Sequence, residues 1–345
     1  MEPLDLIKQP IEQELLLFRK NFQESLQTSD PYLSHIFSAI TQTNGKLMRP
    51  ILLLLVAKEF GEVTPNAYFS AVTLELLHIA SLVHDDIVDE SSERRGRPSL
   101  NALHGNQVAV LVGDYLLSTS LTKACDTMNV EIVRRIALLG KRLSSGEILQ
   151  LQKASQDNLS EESYFDIIRL KTAALFAMSA ELGTVSAGVS DERLQKMNLL
   201  GNIIGTCFQI RDDIFDYFDD PHVGKPTGND IAEGKITLPL IHALNHNADS
   251  RILSLVSKAK TRTISKDEIA QIIDFAKVNG GIDYFVNLGR RDHIVPLIVD
   301  GVPYSGDPET ECFPEALRRH FPKNADPMLD HQILGVNINE EGAGS

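Results

Sequence analysis

The stretch LVHDDIVDESSERRG (residues 82–96) carries three aspartates at the end of an apolar segment and two arginines directly after them. Asp85 and Asp89 are four residues apart, so on a helix they lie on one face, with Asp86 beside them. Apolar residues flank the acids on both sides, which indicates that such a helix is largely buried. The stretch therefore predicts a buried helix that ends in a cluster of carboxylates.

The same Asp-Asp-x-x-Asp spacing returns in FQIRDDIFDY (208–217), with Asp212, Asp213 and Asp216. Three carboxylates this close raise one another's pKa unless a cation lies among them. Oxygen ligands without His or Cys favour a hard ion. Mg²⁺ suits one or two carboxylates per helix because it keeps waters and shares its shell with substrate phosphates. A solvated acidic face is the alternative, and the apolar neighbours of both motifs disfavour it.

Most of the chain, from Asp5 to about Tyr284, has apolar residues at the three- and four-residue intervals of helices, without strand-like alternation. Short breakers separate these segments, among them GEVTPN (61–66). Ser160 and Ser265, before apolar runs, are typical of helix starts. The sequence thus predicts an all-α body, a helical bundle whose core can enclose a cavity.

Composition narrows the class of protein. The chain has 345 residues, is 43% hydrophobic and has a net charge of −14, which disfavours nucleic acid as a partner. Its cysteines are scattered without metal-ligand spacing, so we expect neither disulfides nor zinc, and a cytoplasmic location fits. We expect no signal peptide and no membrane span, since the most apolar run, ILLLLVA (51–57), is too short. A peripheral membrane contact stays open.

Basic residues supply the complement to the acids, and several of them lie in breaker-rich loops directly after the acidic motifs. The candidates are Lys46, Arg49, Arg94, Arg95, Lys171, Lys225 and Lys235. His78 precedes Asp85 by two helical turns, which places both on one face. Acids that hold Mg²⁺, and cations that bind the remaining oxygens, are suited to a diphosphate leaving group. The carbocation left behind needs a dry, aliphatic cavity, which a bundle core can supply.

Six segments together resemble the ordered motif set of the trans-isoprenyl diphosphate synthases, the polyprenyl synthetase family. They are GKLMRP (45–50), HIASLVHDDIVDESSERRG (78–96), GEILQLQ (146–152), IIRLKTAALF (167–176), CFQIRDDIFDYFDD (207–220) and GKPTGNDIAEGKITLPL (224–240). The resemblance spans about residues 5–284. It implies the all-α isoprenoid-synthase bundle around a central cavity, a homodimer, Mg²⁺ dependence and head-to-tail transfer from an allylic diphosphate (farnesyl or geranyl) to isopentenyl diphosphate.

The resemblance also implies roles for residues at matching motif positions. Asp85 and Asp89 would bind two Mg²⁺ ions and Asp212 a third, with Asp86, Asp213 and Asp216 supporting that shell. The allylic diphosphate would contact Arg94, Lys171, Lys225 and Lys235, and isopentenyl diphosphate would contact Lys46, Arg49, His78 and Arg95. Thr172 and Gln209 resemble the family's cation-facing polar groups. For Gln209, a core amide paired with the backbone is the alternative.

Product length depends on the pocket below the first motif. Ala80 is the fifth residue before Asp85, where short-chain members of the family often carry a bulky aromatic residue. Upstream, Leu76 and Leu77 are aliphatic, and no aromatic residue precedes Ala80 until Phe69. Because each further turn of about 5.4 Å admits about one isoprene unit, we expect about six to ten units, centred on octaprenyl, a quinone side-chain precursor. A farnesyl or geranylgeranyl diphosphate synthase is the alternative.

The last segment, 285–345, departs from the family pattern and from helical text. HIVPLIVDG (293–301) reads as a buried strand, and with ECFPEALR (311–318) it resembles the later part of a bacterial TIR domain. The earlier half of that domain, which holds its nucleotide-cleaving glutamate, has no counterpart, so we expect no NAD hydrolysis. We interpret 1–284 as the synthase domain without its usual final helices, and 285–345 as a fragment that does not fold alone.

Two further function classes remain for comparison. A terpene synthase would carry an Asn/Ser/Glu-type second metal motif, and the intact DDIFD at 212–216 argues against it. An inactive or regulatory synthase-like subunit would usually have lost an acidic motif. Both acidic motifs are intact, so only the unusual C-terminal segment leaves that reading open.

Overall fold

The structure, a computed structural model, describes residues 3–42, 45–94, 96–155, 160–189, 191–218 and 227–284. These ranges are almost entirely helical, which confirms the predicted all-α body. Arg95, Lys225 and the whole of 285–345, with the strand predicted at its start, lie outside the described residues.

The helices in the first half of the chain are α1 (Pro3–Lys8), α2 (Glu12–Ser25), α3 (Pro31–Gln42), α4 (Met48–Glu59), α5 (Pro65–Val88), α6 (Leu100–His104), α7 (Asn106–Asp126) and α8 (Val130–Ser155). Those in the second half are α9 (Glu161–Ile168), α10 (Ala174–Ser186), α11 (Asp191–Phe215), α12 (Asn229–Ala232), α13 (Leu238–Asn247), α14 (Ser250–Lys260) and α15 (Lys266–Val278).

Serine side chains begin two of these helices, as their sequence context predicts. The Ser160 hydroxyl accepts a hydrogen bond from the Ser163 N–H at 3.1 Å at the start of α9. Ser265 and Glu268 form a reciprocal capping box at the start of α15. Both arrangements satisfy backbone donors that the first helical turn leaves without partners.

The structure contains two local features that the helical pattern of the sequence does not predict. A five-residue π-helix, Arg169–Ala173, separates α9 from α10, where the sequence predicts one continuous helix. A two-residue antiparallel hairpin pairs β1 (Glu93–Arg94) with β2 (Arg97–Pro98), where no strand was expected. Hydrophobic periodicity shows neither feature, because each spans too few residues to change the apolar pattern.

The main core surrounds α5, whose residues Leu74 and Leu76 are fully buried against α4, α7 and α10. Helices α10 and α11 approach closely because glycine faces the neighbouring backbone. A Cβ at Gly201 would lie 2.5 Å from the Ala177 Cα. The long helices that carry the two acidic motifs, α5 and α11, therefore both pack against α10.

A second apolar cluster is built by α13, α14 and α15 around Leu240, Ala259 and Ile272, and it includes Tyr217 and Ile231. Tyr217 follows the second acidic motif and Ile231 belongs to α12. This cluster therefore anchors the segment after the second motif, from α12 to α13, beside the end of α5.

Two helices are long and apolar enough to cross a membrane by length and composition, α5 and α7. In α5, 67% of the most apolar window is buried inside the protein, as expected of a core helix. In α7 the buried share is 33%, so much of its apolar surface lies outside the core.

Candidate functional site

The first acidic motif occupies the last turn of α5, and the hairpin folds Arg94 back over it. Arg94 donates from Nε to both carboxylate oxygens of Asp86, at 2.8 and 2.9 Å, and from Nη2 to Oδ1 at 2.5 Å. Asp86 is buried, and this bidentate pair neutralises its charge. Asp86 is therefore held by Arg94, which leaves Asp85 and Asp89 as the acids of this motif without that partner.

Asp85 titrates abnormally. Burial raises its pKa to about 6; Glu147 and Asp89 add to the rise, while Lys171 and Arg94 oppose it. Burial makes the ionised form of this carboxyl group less stable, and a cation bound beside it would stabilise that form. The sequence predicted repulsion among the acids as the cause, whereas burial is the largest cause at Asp85 and the charge of Asp89 a smaller one.

Lys171 lies in the π-helix and faces α8. Its Nζ donates to a carboxylate oxygen of Glu147 and, at 3.2 Å, to Oε1 of Gln150. The π-helix and α8 come this close because residue 146, on α8, is glycine. A Cβ at this residue would lie 2.9 Å from the Lys171 Cγ. Glu147 and Gln150 received no predicted role, although both lie in the GEILQLQ segment. The presence of this segment in the family motif set was the sequence signal that could have identified them.

The second acidic motif, at the end of α11, contains a buried hydrogen-bond chain around Asp213. The Tyr164 hydroxyl donates to Oδ2 at 2.6 Å, and the Gln209 amide donates to Oδ1 at 2.7 Å. Thr172 in turn donates to the Gln209 carbonyl at 2.5 Å. Burial, and then the charge of Asp230, raise the pKa of Asp213 well above its usual range. Thr172 and Gln209 thus bond to one another and to the motif; their facing a cation stays a prediction.

Asp216 organises the segment after the second motif. Its Oδ1 accepts from the Asn229 N–H at 2.9 Å, and its Oδ2 accepts from the Asp230 N–H at 3.2 Å, both at the start of α12. A carboxylate at a helix N-terminus accepts hydrogen bonds from free backbone N–H groups and interacts favourably with the positive end of the helix dipole. Asp216 therefore positions α12, and Asp212 remains as the partly exposed acid of this motif. Tyr164 and Asp230 were missed by the sequence analysis, because their contacts cross between helices.

Lys235 joins the two halves of the site. Its Nζ lies 2.9 Å from Oδ2 of Asp89 and 2.8 Å from Oε2 of Glu233. Burial opposes the charge on Lys235, but Asp89 and Glu233 outweigh it and raise the pKa of the ammonium group. The end of α5 and the turn after α12 therefore meet through a charged lysine.

The residues predicted to bind isopentenyl diphosphate are less closely gathered. Lys46 is exposed, and His78 is buried on α5. The Arg49 guanidinium lies over the Phe176 ring, 5.1 Å from its centroid, and Phe176 packs on Phe208, next to Gln209. Arg95 and Lys225 lie outside the described residues.

The predicted chain-length residues are all in the main core. Ala80, Leu77 and Leu76 are buried on α5, in the same apolar cluster as Leu116 and Val112 of α7. The side chains of α5 and α7 in this part of the cluster are therefore all aliphatic.

The donor set bears on the kind of metal ion. Among the described residues, no three His, Cys, Asp or Glu side chains come together so that they alone could hold an ion. The acids Asp85, Asp89 and Asp212 offer only carboxylate oxygens. This fits a hard cation such as Mg²⁺, which takes one or two protein carboxylates and completes its shell with water and substrate phosphates.

An all-α bundle with an acidic motif at the end of each of two core helices, and cations between them, defines a helical synthase class that handles diphosphates. Comparison with known proteins identifies the family: residues 30–275 match the polyprenyl synthetase family model, so this chain belongs to that family. It is accordingly a trans-prenyltransferase, as the sequence motifs predicted.

Three similar proteins illustrate the match. The octaprenyl diphosphate synthase of Haemophilus influenzae is 31% identical over 290 residues, which cover 84% of this chain and 88% of that protein. A geranylgeranyl pyrophosphate synthase structure from Bacteroides thetaiotaomicron is 49% identical with a TM-score of 0.71, covering 82% and 86%. A polyprenyl synthase from Caulobacter crescentus, complexed with calcium and isoprenyl diphosphate, is 28% identical with a TM-score of 0.78, covering 84% and 88%.

Proposed function

We propose that this chain condenses isopentenyl diphosphate with farnesyl or geranyl diphosphate, head to tail, into a long-chain all-trans polyprenyl diphosphate. An octaprenyl product, a precursor of quinone side chains, is the centre of the proposal. The observation that carries it is the meeting of Asp89 and Lys235, which brings the first acidic motif and a phosphate-binding cation to one point. The reaction needs such a point for the departing diphosphate.

Asp85, Asp89 and Asp212 would hold Mg²⁺, about three ions per site, which when bound neutralises charge on the leaving diphosphate. That the Caulobacter crescentus structure holds calcium together with an isoprenyl diphosphate supports a divalent ion here.

The protein's own cations do the remaining binding. Arg94, Lys171 and Lys235 would contact the allylic diphosphate, joined by Lys225. Each of the first three is held by an acid, namely Asp86, Glu147 and Asp89 respectively. These ion pairs restrict the conformations of the three cationic side chains, which lowers the entropy cost of binding a diphosphate.

Isopentenyl diphosphate would bind to Lys46, Arg49, His78 and Arg95. The C1–oxygen bond of the allylic diphosphate breaks first, and the double bond of isopentenyl diphosphate then attacks C1 of the resulting cation. The released diphosphate takes the proton that the isopentenyl unit loses. The Thr172 hydroxyl and the Gln209 amide, at the edge of this region, would direct their dipoles at the developing positive charge.

The aliphatic wall below the first motif supports a long product. From Ala80 to Phe69, the next aromatic residue along α5, the helix rises about 16 Å, or about three turns, which admits about three more isoprene units than an aromatic plug at Ala80 would. The octaprenyl diphosphate synthase relative agrees with this length. A shorter, geranylgeranyl product is the second candidate, because the Bacteroides thetaiotaomicron structure has the higher identity.

We also propose a cytoplasmic homodimer, in which a second copy covers the exposed apolar residues of α6, α7 and α8. These residues are Leu103, Val110, Leu111, Tyr115, Leu121, Leu138, Ile148 and Leu151. An apolar surface of this extent on a water-soluble protein indicates a partner.

Purified full-length protein with Mg²⁺, farnesyl diphosphate and labelled isopentenyl diphosphate tests the proposal, with products dephosphorylated and sized. A ladder ending near eight units supports the long-chain assignment, and an end at four units favours the second candidate. Asp212→Asn and a chelator serve as negative controls. A folded dimer that binds both substrates and makes no product would favour the inactive-subunit reading and overturn the proposal.

A further inference from the structure

Two helices that end beside the site, α5 and α14, are each followed by a non-glycine residue in the left-handed conformation. Glu90 follows α5 with φ 53°, and Arg262 follows α14 with φ 55°, the left-handed region in which glycine is the common residue. In both cases the following N–H closes the helix end: Ser91 donates to the Asp86 carbonyl at 2.9 Å, and Thr263 to the Lys258 carbonyl at 2.9 Å. A side chain at either position needs another reason to be there.

The Arg262 side chain reaches across to the end of α5. Its Nη1 donates to the Asp89 carbonyl oxygen, and its Nε donates to the Glu233 carbonyl oxygen at 3.3 Å. The same Nη1 lies 4.0 Å from Oε2 of Glu90. Asp89 and Glu233 are the C-terminal caps of α5 and α12, so one guanidinium serves two helix C-termini, where positive charge is favoured.

The two carbonyls that Arg262 contacts belong to the residues whose side chains hold Lys235. Asp89 and Glu233 both accept from the Lys235 ammonium group, at 2.9 and 2.8 Å. The backbone of Lys235 is fixed separately, since its N–H donates to the Asp230 carbonyl at 2.8 Å. Arg262 therefore fastens, through the backbone, the same two segments that Lys235 joins through side chains.

We propose that Arg262 is a positioning residue for the diphosphate site. It holds the end of α5 against the Glu233–Lys235 turn, so that Asp89 and Lys235 meet a metal diphosphate together and at a fixed separation. This inference rests on the proposed function for the part that Asp89 and Lys235 play. Arg262 lies outside every acidic or basic motif of the sequence, and its side chain remains 38% exposed.

Arg262→Gly separates positioning from mere helix capping. Glycine adopts the left-handed conformation without strain, so a residue that only ended α14 would be replaced at no loss of stability. Met128→Gly is the matched control. Met128 follows α7 with φ 49° and is 92% exposed, with no contact to the site among those described. Arg262→Lys keeps the charge and loses the two-pronged geometry.

The measurements are the melting temperature without ligand and the affinity for magnesium with inorganic diphosphate by calorimetry. We expect Met128→Gly to melt at or above the wild-type temperature. We expect Arg262→Gly to melt close to it, because relief of the left-handed conformation offsets the two lost hydrogen bonds. We expect only Arg262→Gly to bind magnesium diphosphate about tenfold more weakly, with partial recovery in Arg262→Lys. In turnover, KM for the allylic diphosphate should rise more than kcat falls.

Two outcomes overturn the inference: wild-type affinity for magnesium diphosphate in Arg262→Gly, or an equal loss of affinity in Met128→Gly, which would show that glycine after any helix weakens binding. A wild-type protein that binds magnesium diphosphate but makes no product would contradict the proposed function, while the binding comparison would still decide the role of Arg262. A wild-type protein that binds no magnesium diphosphate would overturn both.

Discussion

The Nζ of Lys235 lies 2.9 Å from Oδ2 of Asp89, although 146 residues separate them along the chain. The contact links the end of α5 to the turn after α12, and it brings a permanent positive charge to an acid that we propose as a metal ligand.

Lys235→Gln should lower kcat/KM for the allylic diphosphate about tenfold or more, because it removes a buried charge from the diphosphate site. Steady-state kinetics at saturating Mg²⁺ measure this. Lys258→Gln is the control, because Lys258 pairs with Glu268 on the exposed surface of α14 and α15. It should change the rate by less than about twofold. Equal effects of the two variants would contradict the assigned role of Lys235.

Ala80→Phe should shorten the product to about three or four units while leaving the first condensations intact, because the ring closes the space below the first motif. Product sizing after dephosphorylation measures this. Ala71→Phe is the control: Ala71 is equally buried on α5 and lies nine residues away, on the opposite face. A control that also shortens the product would show that overpacking of α5, and not the pocket, sets the length.

Tyr164→Phe should lower the free energy of unfolding by about 1–3 kcal/mol, because it leaves a buried carboxylate oxygen of Asp213 without its hydroxyl donor. Denaturant unfolding monitored by circular dichroism measures the change. Tyr32→Phe removes an exposed hydroxyl contact to His104 and should cost less than about 0.5 kcal/mol. If the two variants are equally stable, the hydrogen-bond chain around Asp213 does not support α11.

Leu111→Glu should convert the proposed dimer to monomer at micromolar concentration, because it places a charge in the middle of the exposed apolar face of α7. Leu111 is 67% exposed in the single chain. Sedimentation or light scattering measures the mass. Leu253→Glu, on the exposed surface of α14, should leave the mass unchanged. A Leu111→Glu dimer would show that the second copy binds elsewhere.

His242 should make the protein less stable as the pH falls below about 6.5. Burial, and then the neighbouring His246, lower its pKa; Glu161 and the stacked Tyr284 ring also contact it. Because the folded protein binds this proton less readily than the unfolded chain, stability is lost as the unfolded chain becomes protonated.

Thermal unfolding of wild type and His242→Gln at pH 7.5 and 5.5 measures this contribution. The melting temperature of the variant should fall less between the two pH values than that of the wild type. An identical pH dependence would show that the contact with Glu161 cancels the effect of burial.

The sequence by itself determined the fold class, and it predicted most of the residues that we propose for the site. The reason is physical: a buried helix must repeat apolar residues every three or four positions, and a diphosphate site needs carboxylates and cations that no core would otherwise accept. Asp85, Asp89 and Asp212, with Lys171 and Lys235, are visible for that reason. The capping serines at 160 and 265 are equally visible, because their partners lie within one helical turn.

Only the tertiary structure decided how those residues are used. In the structure, Asp86 pairs with Arg94, and Asp216 accepts hydrogen bonds at the start of α12. Tyr164, Glu147 and Arg262 also contact residues of the site, and their partners lie far away in sequence. Such contacts depend on how packed helices face one another, and side-chain spacing along one helix does not contain that information. The π-helix at Arg169–Ala173 is the clearest case, because it carries Lys171, which pairs with Glu147, and it leaves the apolar pattern of the sequence unaltered.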